Sequence, residues 1–91
     1  MPGGLSELFA MIQDEFGVDI EDPRDAAQTT PSELIAYVLD SAPEVGGPMS
    51  DAERRQYVEE VLGELMEQAL GVTRYDEEST FAEILRSARG H

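Results

Sequence analysis

The stretch SDAERRQYVEEVLGELMEQALG, residues 50–71, decides the fold. Ser50-Asp51-Ala52-Glu53 is a capping box: the serine hydroxyl takes up an amide of the first helical turn, and the glutamate accepts from the cap's own amide. At the other end Gly71 tolerates the left-handed geometry of a helix C-cap. Between them Tyr57, Val58, Val61, Leu62, Leu65, Met66, Ala69 and Leu70 recur at helical spacing and form a wide apolar stripe. The pattern predicts one helix from about Asp51 to Leu70, about 30 Å long at about 1.5 Å per residue. Gly63 costs that helix up to about 1 kcal/mol. It marks either a close helix crossing or a tolerated surface glycine.

The same punctuation extends outward. Thr30-Pro31-Ser32-Glu33 is a second capping box, with proline at the first helical position. The helix it opens, with Leu34, Ile35, Tyr37, Val38 and finally Ala42 as its buried stripe, stops near Ser41, because Pro43 disfavours helical geometry before it. Leu5 to Phe16 reads as a helix on the spacing of Leu5, Leu8, Phe9, Ile12 and Phe16, with Gly17 as its C-cap. Met11 and Met66 fall at helical spacing and read as core. The paired acids and proline of residues 18–25 predict a loop, to which Ala26 and Ala27 add at most one turn. Glu44 to Pro48, with Gly46-Gly47-Pro48, reads as a flexible connector. Thr80-Phe81-Ala82-Glu83 is a third capping box, opening a short helix through about Ser87. Arg86, Arg89 and His91 then give the cationic last turn that suits a helix dipole. No stretch sustains the period-two alternation of a strand.

The totals bound what such a chain does. Its 91 residues make one domain, residues 1–91, and 41% hydrophobic content suffices for a globular core. There is no cysteine, which removes disulfides, thiolate zinc sites and thiol nucleophiles. Asp and Glu total 20 against 6 basic residues, all arginine, for a net charge of −14. That surface repels nucleic acid and anionic lipid and attracts basic protein. No apolar run approaches the roughly 20 residues of a membrane span. No signal-peptide pattern follows Met1-Pro2-Gly3-Gly4, so the expected location is the cytoplasm.

Four phrases resemble acyl carrier proteins, in a rotated order. Glu15-Phe16-Gly17-Val18-Asp19-Ile20 resembles the end of the family's helix II. Thr29-Thr30-Pro31 through Tyr37-Val38 resembles the start of helix IV. Tyr57 to Gly71-Val72 resembles helix I with its Leu-Gly-Val ending, and Ser79-Thr80-Phe81-Ala82-Glu83-Ile84-Leu85 resembles the loop phrase that follows it. The resemblance implies an all-α fold, a small four-helix bundle of acyl-carrier-protein type, circularly permuted. Residues 5–42 stand for helices II to IV, 43–50 for a connector, and 51–88 for helix I and its loop. Neighbouring termini make permutation cheap, and a domain-swapped dimer buries the same faces as a permuted monomer.

In that family a serine after aspartate carries phosphopantetheine. Counted back from Phe16 the position falls at Pro2, and counted forward from Phe81 it falls at Arg89. The expectation is therefore no phosphopantetheine, with Ser6 and Ser87 as the nearest off-register candidates. The resemblance also implies a partner-binding flank made of Glu7, Asp14 and Glu15, facing a basic protein, such as an enzyme of fatty-acid, polyketide or peptide biosynthesis.

Catalytic residues are not expected. His91, the one histidine, stands at the end of the chain with no nucleophile beside it. Asp19, Glu21, Asp22 and Asp25, or Asp76, Glu77 and Glu78, are carboxylate-rich but lack the spacing of a calcium loop. There is no glycine-rich phosphate cradle. The sequence thus points to a non-enzymatic, carrier-like interaction module that binds neither nucleic acid nor membrane. Two alternatives stay open: a genuine carrier using an off-register serine, and an acidic decoy that imitates nucleic acid toward a basic protein.

Overall fold

Three helices begin where the capping boxes require. In the computed structural model, which describes residues 4–89, the amide of Glu33 donates to Thr30 Oγ1 (3.1 Å) and the amide of Thr30 donates to Glu33 Oε1 (3.0 Å). The same reciprocal pair joins Ser50 to Glu53 and Thr80 to Glu83. These boxes open α3 (Pro31–Ser41), α4 (Asp51–Leu70) and α5 (Phe81–Arg89); α1 is Leu5–Phe16 and α2 is Pro23–Ala26. The described residues are all-helical, in five helices rather than four. The extra one, α2, is the single turn foreseen near Ala26, begun earlier by Asp22 as N-cap and Pro23 at the first helical position. The last helix runs past Ser87 to Arg89.

α4 is the spine. It lies against both α1 and α3, while α1 also touches α2 and α5. The core they enclose is wholly apolar. Leu8, Phe9, Ile12, Ile35, Val38, Val58, Leu62, Met66 and Phe81 are almost fully buried, and no polar or charged residue is buried among the described residues. Phe9 and Phe81 meet edge to face, ring centres 5.3 Å apart at 87°, a geometry that contributes about 0.5–1.5 kcal/mol beyond burial.

The chain uses one design twice. α1 ends in Gly17 (φ 70, ψ 27) and α4 ends in Gly71 (φ 71, ψ 21), both left-handed. Each glycine is followed by a buried valine, Val18 or Val72. Further on, Asp22 Oδ1 accepts from the Arg24 amide and Asp76 Oδ1 accepts from the Glu78 amide, both at 2.9 Å. Each link then closes on a threonine-capped helix, α3 or α5. The two units are tied reciprocally by their backbones: the Ser32 amide donates to the Glu77 carbonyl (3.2 Å), and the Ala82 amide to the Ala27 carbonyl (3.0 Å). Phe81 adds a bond to the Thr29 carbonyl (3.0 Å), which Pro31, lacking an N–H, cannot mirror.

Two sequence expectations change, and the open reading of Gly63 is decided. The connector after α3 is not a loose tether. Val45 and Gly47 donate to the Ala42 and Glu44 carbonyls, and the Arg54 guanidinium clamps the Val45 (3.0 Å) and Gly47 (2.7 Å) carbonyls. Tyr37, expected in the buried stripe, is 43% exposed. The buried row of α3 is Pro31, Leu34, Ile35 and Val38, and Tyr37 stands off it. Gly63 marks no close crossing, because a Cβ there would meet nothing within 4 Å.

Candidate functional site

Glu7, Asp14 and Glu15 are all exposed on α1; Glu7 and Asp14, seven residues apart, lie opposite the row of Leu8, Phe9, Ile12 and Phe16 that enters the core, and Glu15 lies at the edge of that row, in line with Leu8. Ser6 is exposed in the first turn of the same helix, and Ser87 is exposed far along α5. Pro2 and His91 lie outside the described residues, and Arg89 ends α5.

The rest of the surface is strongly one-signed. Among the described residues the one ion pair is Arg55 to Glu59, 3.0 Å and half-exposed, of the kind that contributes about 0–1 kcal/mol. Glu53 and Glu83 are held below the ordinary carboxylate value, chiefly by accepting the amides of Ser50 and Thr80. No cluster of three or more His, Asp or Glu side chains among the described residues is arranged to hold a metal ion. Of the two carboxylate stretches, each has an aspartate, Asp22 or Asp76, already bonded to a backbone amide. No helix in the described residues is long and apolar enough to cross a membrane.

The concave features were not legible in the sequence. Each repeated unit folds its link back onto its threonine-capped helix and leaves a cleft between them. In the second unit the cleft measures about 370 Å³ and includes Arg74, Tyr75, Asp76, Glu83, Ile84 and Ser87. Tyr75 is half-buried there, and its phenol is pushed up, first by burial and then by the charges of Glu77 and Glu59. In the first unit the cleft is larger, about 620 Å³. Its floor is Ile20, Ala26 and Leu34, the less exposed apolar part of the lining; the exposed Tyr37, Asp19, Glu21, Asp22, Asp25 and Glu33 stand around it.

Two hydrogen bonds hold this larger cleft in shape. The Ile20 amide donates to Gln13 Oε1 (2.8 Å), and the Tyr37 hydroxyl donates to the Asp19 carbonyl (2.7 Å). The loop is thereby fixed from α1 on one side and α3 on the other. The usable sequence signal was Tyr37 itself, a large ring off the buried row of its helix. Comparison with protein families, with curated proteins and with solved structures finds no match for this chain.

Proposed function

We propose that this chain is a non-enzymatic interaction module of acyl-carrier-protein type, in circularly permuted order and without phosphopantetheine, which docks on a basic surface of a partner protein. The observation that carries this reading is uncompensated surface charge. The net charge is −14, with no charged residue buried and one ion pair among the described residues. A field of that sign raises encounter rates with basic proteins and keeps nucleic acid and anionic lipid away. Glu7, Asp14 and Glu15 present part of it on one helix.

The carrier resemblance is supported by α4 lying against both α1 and α3, as a permuted bundle of this type requires. The absence of the prosthetic group rests on the serines. Ser6 follows Leu5 rather than an aspartate, and Ser87 sits inside α5 between Arg86 and Ala88.

The test is intact-protein mass spectrometry after incubation with coenzyme A and a broad-specificity phosphopantetheinyl transferase, beside a carrier that is modified. The expected mass is unchanged. A gain of one phosphopantetheine, mapped to Ser6 or Ser87, overturns the reading in favour of a working carrier. The docking surface is tested by the triple variant E7Q/D14N/E15Q, which weakens capture of basic proteins from extract and lowers its salt dependence.

A further inference from the structure

The two clefts occupy the same place in the two repeated units, yet they differ in charge and in one ring. Thr29, Glu33 and Leu34 of the larger cleft correspond to Ser79, Glu83 and Ile84 of the smaller one. Tyr37 corresponds to Ser87. The smaller cleft carries its own cation, Arg74, among its acids. The larger has five carboxylates around an apolar floor and no basic residue in its lining. Arg24, the nearest cation along the chain, is exposed and outside that lining.

Not all five acids are available. Asp22 caps α2 and Glu33 closes the α3 capping box. The carboxylates of Asp19, Glu21 and Asp25 make no hydrogen bond or ion pair among the described residues. Among the described residues Tyr37 is the one large hydrophobic residue that is exposed, and its hydroxyl donates to the Asp19 carbonyl, which ties the side chain to the lining of the cleft. An aromatic face beside unpaired carboxylates suits a guanidinium, which is planar, stacks on aromatic rings and forks to carboxylates. An ammonium matches only the charge. The volume falls within the usual range of pockets that hold several side chains' worth of ligand. It leaves the floor of Ile20, Ala26 and Leu34 for an apolar neighbour.

Resting on the docking role proposed above, we infer that this cleft takes an arginine of an extended, basic segment of the partner protein. The guanidinium lies on Tyr37 and pairs with Asp19, Glu21 and Asp25, and an apolar residue of the same segment fills the floor. The Glu7, Asp14 and Glu15 flank then attracts the partner, while the cleft selects the segment.

The experiment is an amide-resolved NMR titration with the peptide acetyl-Ala-Arg-Leu-Arg-Ala-amide, run beside the same peptide with citrulline in place of both arginines. The expected result is saturable shifts in residues 19–37, weakened about fivefold or more by Tyr37→Ser and by the double variant E21Q/D25N, and absent with citrulline. E21Q/D25N removes charge without touching the core, so its effect is not a folding defect. Shifts confined to α1 around Glu7, Asp14 and Glu15, unmoved by Tyr37→Ser, overturn the cleft but leave the docking role standing. Equal binding of the citrulline peptide also overturns the cleft. No shift anywhere with the arginine peptide counts against both.

Discussion

Between Gly17 and Thr30 the chain takes a detour that it does not take between Gly71 and Thr80. Both links start from a left-handed glycine, bury the next valine and end on a threonine cap. The first is longer by four positions, the length of α2 (4 residues). That turn, with the pinned loop before it, widens a cleft of about 370 Å³ into one of about 620 Å³. The shorter link makes a different use of its helix: Phe81 at the start of α5 reaches the core and meets Phe9, where Pro31 starts α3. Both units thus bury core residues, and the first also presents the wider surface. A repeated frame fixes the ends of a link through caps and backbone bonds, and leaves its middle open to other work.

The comparison breaks most severely at the paired helix starts. Phe81→Ala should cost about 3–5 kcal/mol, as for other fully buried phenylalanines, a large part of the total stability of a small domain. Pro31→Ala should cost roughly 1–2 kcal/mol, because Pro31 is buried too but loses fewer apolar atoms and gains the amide that Phe81 already uses. Urea denaturation of both variants checks the asymmetry. Equal losses would mean that the two starts anchor the core alike.

The links should respond alike at their glycines. Gly17→Ala and Gly71→Ala each force a Cβ into left-handed geometry, though neither meets a neighbour within 4 Å. Each should cost about 1–2 kcal/mol. A much smaller loss at Gly17 in urea denaturation would show that the longer link absorbs the strain.

Thr30→Ala and Thr80→Ala should each cost about 1 kcal/mol. The Thr80 box also carries a pH signature. Glu83 has its folded value below the ordinary 4.5, so its contribution is complete above 4.5 and is lost as pH falls through the folded value. Melting temperatures followed from neutral pH into that acid range should fall less steeply for Glu83→Gln than for the unaltered chain. Smallest is Gly63→Ala, with open space for its Cβ. It should stabilise α4 by about 0.5–1 kcal/mol, seen as a shifted urea midpoint with unchanged slope.

Much of the frame was legible because its signals are local. A threonine or serine three residues before a glutamate needs only one helical turn to act, and all three boxes form as read. The C-cap glycines are equally local. Asp22-Pro23 carried the start of α2, and reading it as loop chemistry set the foreseen turn at Ala26 and Ala27, three residues too late. Tyr37 was misplaced because its apolar ring was counted with the stripe although its helical register turns it off the buried row of Leu34, Ile35 and Val38. Its ring is held by the Asp19 carbonyl, a partner in another element, and the apolar content of the residue says nothing of that bond. The cleft is legible only once the link is seen to fold back. The reciprocal ties between the units leave little trace in the sequence, since they join main-chain amides and carbonyls that every residue but proline possesses.

Those ties change what the first turns of α3 and α5 report. The opening amides of a helix lack intrahelical partners and ordinarily meet water directly. Here Ser32, Phe81 and Ala82 give theirs to carbonyls of the opposite unit. Their exchange with solvent hydrogen then waits on separation of the two units rather than on fraying of a helix end. Three peptide groups at the beginnings of two helices thereby act as a clock for the opening of the whole molecule.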